Sequence, residues 1–232
     1  MKPNLTSEHI NLVFVGSFNP AIFHPSWYKS QGICDSLDNS ENSDYLSTID
    51  ATQFKLPDEI SIRVFRNKFI AETSRESSIE KLLDIVAGTF EVLHHTPIER
   101  IGINVDRIYE GFTPEAWQKI GKTIAPQDLW RSVYSYIEDL EQKQQEVTGL
   151  WSQTMSLPRN DQYKGQLFHK TSVVNRRERT LQVSINNDLD ASNNEHNAAR
   201  GLSIVKDSAV QMLDDSKKLI NKFMTETTGE EQ

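Results

Sequence analysis

The chain has 232 residues, which suits one domain or two closely joined lobes. Its 25 basic and 33 acidic residues leave a formal net charge of −8, which disfavours broad attraction to phosphate backbones. The single cysteine, Cys34, excludes an internal disulfide framework and any cysteine-based zinc site.

The distribution of apolar residues indicates the cellular compartment of the protein. No apolar run approaches the roughly 20 residues that a helix needs to cross a bilayer. The first 16 residues, MKPNLTSEHINLVFVG, are polar where a signal peptide needs its apolar stretch. We therefore expect a cytoplasmic protein without a membrane segment.

The first quarter of the chain passes from an apolar stretch to an acidic one. Residues 10–18 (INLVFVGSF) are almost continuously apolar and predict a buried strand. Residues 34–58 are rich in aspartate, serine and asparagine and contain a single lysine, Lys55. This composition predicts a mobile acidic loop on the surface.

The next segment predicts a hairpin, a helix and a strand. Apolar residues alternate with polar ones over residues 60–65, and Asn67 suits the turn before a second strand. Ser77 and Glu80 have the spacing of a capping box ahead of an amphipathic helix. Residues 101–105 alternate again and predict a strand with one wet side.

The second half repeats this order of elements. Helical spacing predicts helices between residues 113 and 145, and a period of two predicts three strands between 151 and 185. A long helix is expected over residues 197–224, followed by a disordered tail at 225–232. A block of three strands and a helix therefore occurs twice.

This order predicts the fold class and the domain organisation. Helices and strands do not alternate regularly, which favours an α+β fold with a mostly antiparallel sheet covered by helices and a βββα pseudo-repeat. We expect a single domain over residues 1–224. Its two lobes, 1–110 and 147–224, are joined by the helices between 113 and 145.

A candidate ligand site follows the first strand. Residues 16–20 read Gly-Ser-Phe-Asn-Pro, and this string resembles the start of the nucleotidylyltransferase signature, in which two histidines follow to hold a triphosphate. Ile22 and Pro25 stand at the positions that the resemblance assigns to those histidines, and His24 is out of register. The alternative is a tight turn followed by an aromatic segment that packs on the core. Asn19, His24 and Trp27 are the candidate ligand contacts here.

A second candidate set lies on the 101–105 strand and beside it. Arg100, Asn104 and Asp106 share the side away from the apolar row, where they could bind a polar ligand or form an ordinary solvated sheet surface. His94 and His95 end the preceding helix, where an imidazolium complements the helix dipole. We expect no metal site, no catalytic constellation and no cofactor.

Two further surfaces suggest partners. Arg176, Arg177 and Arg179 cluster at a hairpin turn, where they could contact nucleic acid or simply be solvated. The last helix carries apolar residues at alternating spacings of three and four from Leu202 to Phe223. That pattern is typical of a coiled-coil seam, through which the chain could form a homo-oligomer, but the wider stripe favours a helix lying on a sheet.

A broader resemblance covers about the first 130 residues. The hairpin and helix over residues 59–93, followed by His95-Thr96-Pro97-Ile98-Glu99-Arg100-Ile101-Gly102-Ile103-Asn104, are similar to a group of uncharacterised bacterial proteins. In that group, a hairpin and an amphipathic helix lead to a strand that reads approximately R-I-G-L-R-Y-I-N-R. The resemblance implies an α+β fold in a bacterial cytoplasmic protein and carries no active site with it.

Our leading hypothesis from the sequence is a non-enzymatic protein-interaction or assembly module of a bacterial cytoplasmic system. One alternative is an enzyme that binds a nucleotide or small molecule at the turn over residues 16–25. The other is nucleic-acid binding through the arginines of residues 176–179.

Overall fold

The computed structural model of the chain describes residues 3–34, 45–126, 149–159 and 162–229. These residues form a nine-stranded antiparallel sheet in the order β2-β3-β4-β5-β1-β6-β9-β8-β7. The strands are β1 (Asn4–Gly16), β2 (Leu46–Ser47), β3 (Ala51–Leu56), β4 (Ile60–Phe65), β5 (Lys68–Thr73), β6 (Ile98–Glu110), β7 (Ser152–Pro158), β8 (Gly165–Asn175) and β9 (Thr180–Asp190). The antiparallel sheet of an α+β protein is confirmed.

Helices pack on one side of this sheet. They are α1 (Pro25–Ser30), α2 (Ile79–Val92), α3 (Pro114–Ile124) and α4 (Ala199–Thr228). The longest, α4, lies against β6 and β9 and also contacts α2 and α3. We call the side of the sheet that faces these helices the covered side, and the opposite side the uncovered side.

The order of the elements repeats once. The first half runs β1, α1, β3, β4, β5, α2, and the second runs β6, α3, β7, β8, β9, α4. In the sheet, β1 and β6 are neighbours at the centre, and the three following strands of each half extend outwards from them in the same order. Each half thus has a 13-residue central strand followed by three strands and a helix, and the two-residue β2 has no counterpart in the second half. The predicted first block counted the strand at residues 10–18 in place of β3, so its composition differs from the observed repeat.

Strand alternation divides core from surface. On β6, Ile101, Ile103 and Val105 are fully buried on the covered side. The core of the first half is aromatic: the Phe90 ring of α2 stacks on Phe14 at 4.4 Å between centroids and meets Phe69 edge-on at 5.1 Å. Rings in these offset and edge-on arrangements stabilise a core beyond the area that they bury.

Three local features differ from the expectations. Residues 51–56, assigned to the mobile acidic loop, form β3, because Thr52, Phe54 and Leu56 alternate into the core despite the acidic context. Helix α4 continues to Thr228 and buries that residue, so residues 225–228 of the predicted tail are helical. Ser77 does not cap α2; instead a 3-10 turn, Glu76–Ser78, leads into the helix.

The predicted lobes share one sheet. Residues 1–110 contribute β1 to β6, residues 147–224 contribute β7 to β9, and β6 pairs with β9 over ten residue pairs from Arg100–Asp190 to Tyr109–Leu181. Of the predicted connecting helices, α3 is observed. Residues 127–148 lie outside the described residues, as do residues 35–44 of the acidic loop and 230–232 of the tail.

Candidate functional site

The side chains singled out after β1 organise the turn itself. The Asn19 carboxamide accepts a hydrogen bond from the Ala21 amide at 3.2 Å and caps a 3-10 turn. The His24 Nδ1 atom accepts from the Ser26 amide at 3.1 Å and caps α1. Trp27 packs against Phe23. Each group has a local structural role of the kind that N-caps and aromatic contacts perform.

The candidates on β6 lie on the uncovered side. Arg100 forms an ion pair with Asp188 at 2.5 Å. The Asn104 carboxamide donates to Asn11 Oδ1 at 2.6 Å, and the Asp106 carboxylate accepts from Gln182 Nε2 at 3.2 Å. These side chains are therefore linked to neighbouring strands across the sheet surface.

The structure does not bring the two candidate sets together. Phe23 and Tyr28 of the turn segment pack on Phe69 and Phe54, which are buried on the covered side. Asn104 and Asp106 point to the other side of the same sheet. A ligand pocket that combines His24 with these two residues is excluded by the sheet that lies between them.

Amide residues that the sequence analysis missed complete the row on the uncovered side. Asn11 of β1, Asn104 of β6 and Asn186 of β9 stand opposite one another on adjacent strands. The Asn11 carboxamide also donates to Asp106 at 3.4 Å. Alternation of polar residues along β9 is the only sequence signal for this row, because strand order decides which amides become neighbours.

The three arginines of the β8–β9 turn have different surroundings. The Arg179 guanidinium donates to the Phe112 carbonyl at 2.7 Å. The Arg176 guanidinium lies over the Trp151 ring at 5.2 Å from its centroid. Arg177 is exposed. The structure thus gives two of the three side chains a role in tying this turn to neighbouring loops.

The apolar stripe of the last helix packs inside the chain. Its buried side chains lie against the sheet and against α2 and α3; they include Ile204, Val205, Ala209, Met212, Leu213, Ile220 and Met224. On the outer side of α4, Val210 and Leu219 are exposed. This placement supports the interpretation of α4 as a core helix.

A groove runs over the outer surface between α2 and α4. It has a volume of about 470 Å³, and its lining includes Leu83, Ala87, Val205 and the carboxylates of Glu80 and Asp84. Ligand pockets usually enclose most of a small molecule and aim a few polar groups inwards. This groove is an open surface feature rimmed by charges, so it does not provide such an enclosure.

An exposed apolar surface lies at one edge of the sheet, on β7 and the residue before it. Trp151 is 68% exposed, Met155 55% and Leu157 57%. Residues 151, 153, 155 and 157 share the covered side of the sheet, since Gln153 stands opposite buried Thr171 and Met155 opposite His169. Large apolar side chains that are grouped and exposed in this way mark interaction surfaces.

The backbone of β7 offers hydrogen-bonding groups beyond the sheet. The Trp151 carbonyl accepts from the Val173 amide, and the Arg159 amide donates to the Gly165 carbonyl, so odd-numbered residues turn their backbone groups towards β8. Even-numbered residues must then turn theirs outwards, because direction alternates along a strand. Among the described residues, nothing pairs with the outward groups of Ser152, Thr154 and Ser156.

A histidine under this surface predicts a dependence of stability on pH. Burial holds the pKa of His169 below its usual range, and its ring packs on Phe223. The unfolded chain takes up this proton near pH 6.5, whereas the folded chain takes it up only at lower pH. The contribution to stability is therefore complete above about pH 6.5 and is lost as the pH falls towards the folded pKa.

We expect the free energy of unfolding, measured by urea titration at a series of pH values, to fall less steeply below pH 6.5 in His169→Gln than in the natural chain. Equal slopes in the two proteins would contradict this assignment.

Comparison with known proteins adds no assignment. No protein-family model matches the chain, and no curated protein matches it. Among the described residues, no group of three or more histidine, cysteine or acidic side chains is placed to hold a metal ion. No helix in the described ranges is both long and apolar enough to cross a bilayer.

Proposed function

We propose that this chain is a non-enzymatic protein-interaction module of a bacterial cytoplasmic system, and that it binds its partner by adding a strand to β7. The observation that carries the proposal is the outer edge of β7, with which no other described strand pairs, beside three exposed apolar side chains, Trp151, Met155 and Leu157. Strand addition uses backbone hydrogen bonds for affinity and alternate side chains for selectivity, and β7 offers both.

The two edges of the sheet differ in a way that supports this proposal. Proteins usually protect an edge strand by making it very short, by placing charges on it or by covering it. The edge at β2 has only two residues. The edge at β7 has seven residues, SQTMSLP, and no charged side chain. β7 is therefore the edge that is suited to receive another strand.

Pro158 is compatible with this role. Its nitrogen carries no hydrogen, and position 158 belongs to the outward-facing series, so no hydrogen bond to β8 is lost. A proline can therefore replace another residue of this outward-facing series without removing a hydrogen bond between β7 and β8. Thr154, in the middle of β7, belongs to the same series.

The non-enzymatic part of the proposal rests on what the candidate polar groups do. Asn19 and His24 cap helical turns, and Arg100 is paired with Asp188. Asn104 and Asp106 are engaged with amides of neighbouring strands. The His24 Nδ1 atom also lies 2.7 Å from the Ser26 hydroxyl, but both side chains are exposed in the same turn at the start of α1.

Selection from a displayed library of random peptides tests the proposal. The immobilised chain, held at low density, should enrich peptides in which apolar and polar residues alternate, because one side of the added strand meets Trp151, Met155 and Leu157. Thr154→Pro removes one outward N–H and should weaken the binding of these peptides at least about tenfold. Thr154→Val keeps the N–H and the β-branched shape, so it should bind like the natural chain.

Circular dichroism should show that Thr154→Pro retains the fold, since its amide points away from β8 and has no partner among the residues that the structure describes. If no alternating peptide is enriched, or if the selected peptides bind Thr154→Pro as well as Thr154→Val, strand addition at β7 is wrong.

A further inference from the structure

We propose that the strand added to β7 is β7 of a second copy of this chain, running antiparallel about a two-fold axis at Thr154. This inference rests on the proposed function and names the partner that the edge fits. It assigns the dimer contact to the sheet edge and leaves the last helix inside each copy.

The backbone allows this pairing with no donor left over. When Thr154 stands opposite its own counterpart, Ser152 of one copy stands opposite Ser156 of the other. All three residues belong to the outward-facing series, so each of the three N–H groups in each copy meets a carbonyl of the other copy. Pro158, which has no N–H, lies beyond these pairs.

The side chains are also complementary in this register. On the covered side, Trp151 stands opposite Leu157 of the second copy, and Met155 stands opposite Gln153. The three exposed apolar side chains of each copy thus gather along the join. On the uncovered side, Thr154 meets Thr154, and Ser152 meets Ser156. Hydroxyl pairs and aromatic–aliphatic pairs directly across two strands are favourable.

The absence of charged residues from β7 also favours a second copy of this chain as the partner. A two-fold contact places like residues together, so a charged residue near the axis would meet its own charge. Residues 151–158, WSQTMSLP, contain no charged side chain, although charged residues make up 25% of the chain. A neutral strand removes the direct repulsion that charged residues on β7 would bring to self-pairing. The nearest cations, Lys170 beside Thr154 and Arg176 over Trp151, belong to β8 and to the turn that follows it.

Sedimentation velocity on purified chain at micromolar concentrations tests the inference. The natural chain and Thr154→Val should sediment as dimers. Thr154→Pro should sediment as a monomer because it lacks the central N–H. Thr154→Lys should also be monomeric, because it keeps the N–H but places two ammonium groups opposite each other at the axis.

Disulfide trapping tests the register. Opposed residues of a hydrogen-bonded antiparallel pair lie about 5.5 Å apart between Cα atoms, within the span of a disulfide. Thr154→Cys should therefore form a covalent dimer under mild oxidation, and the natural Cys34 is buried and should not compete. Ser172→Cys, one strand further in, is the control: three strand spacings, about 14 Å, separate the two copies of β8, and residue 172 is further displaced along the strand, so it should not crosslink.

The outcomes separate this inference from the proposed function. A natural chain that stays monomeric at high micromolar concentration overturns the dimer, while peptide selection still decides whether β7 accepts a strand. A dimer that survives both Thr154→Pro and Thr154→Lys also overturns it, since the contact must then lie elsewhere. If Thr154→Pro fails to fold, the inference is tested by Thr154→Lys and by crosslinking of Thr154→Cys with its Ser172→Cys control.

Discussion

Replacing Arg107 with alanine should lower the free energy of unfolding by about 3 kcal/mol. The guanidinium donates to the Glu8 carboxylate at 2.6 Å and to Asn221 Oδ1 at 2.6 Å, and its side chain is only 10% exposed. These bonds join β1, β6 and α4, so the substitution loosens the longest helix from the centre of the sheet. Removing one partner of a buried pair leaves the other charge poorly solvated, which explains the size of the effect.

Glu8 keeps a second partner, because Lys217 of α4 lies 3.0 Å from its other carboxylate oxygen. Because Lys217 still neutralises Glu8 in Arg107→Ala, the expected loss of unfolding free energy lies at the lower end of the range for buried pairs. Arg107→Met combined with Glu8→Gln should recover part of the loss, since no unpaired carboxylate is then buried and Lys217 keeps Glu76 as a partner at 3.1 Å.

Arg100→Ala on the same strand is the matched control for Arg107. Its ion pair with Asp188 has a similar length, 2.5 Å, but the arginine side chain is 44% exposed. Exposed pairs contribute little, so this variant should lose less than about 1 kcal/mol. Denaturant titration of both variants measures the difference. Equal losses would show that burial does not determine the energy of the Arg107 pair.

Local patterns in the sequence predict most of the elements of this fold. Alternation on β6 assigns Ile101, Ile103 and Val105 to the core and places Asn104 and Asp106 on the other side, as observed. The same signal exists in Thr52, Phe54 and Leu56 of β3. The acidic composition of residues 34–58 predicts a loop, whereas the period of two within residues 51–56 correctly predicts a strand.

The candidate sites depend on information that no local pattern contains. Sequence spacing puts His24 at a helix start, but it does not say which side of the sheet that helix covers. Likewise, the period of two identifies β7 as a strand without showing that it ends the sheet, because that position follows from the pairings of β8 with β9 and of β9 with β6. The order of distant strands therefore decides which polar groups meet and which strand lies at the edge of the described sheet.

Replacing Gly16 with alanine should destabilise the chain by about 3 kcal/mol or more, at the upper end of the cost of overpacking. A Cβ atom at this position would lie 2.1 Å from the Pro97 carbonyl oxygen and 3.1 Å from the Ile98 Cα. Both are backbone atoms at the start of β6, and the Ser17 amide donates to the same Pro97 carbonyl at 3.1 Å. The backbone of Pro97 and Ile98 cannot move away from the added Cβ without breaking this hydrogen bond at the end of β1.

This requirement also explains the glycine in the Gly-Ser-Phe-Asn-Pro string without a phosphate ligand. Gly88→Ala in α2 is the control, because its Cβ would meet only the Ile33 side chain at an ordinary 3.4 Å. A glycine inside a helix is about 1 kcal/mol less favourable than alanine, so Gly88→Ala should stabilise the chain by up to that amount. In both thermal and denaturant unfolding, the midpoint should therefore fall for Gly16→Ala and rise for Gly88→Ala. A Gly16→Ala variant as stable as the natural chain would show that β1 and β6 can separate here, and the close approach would then not be the reason for the glycine.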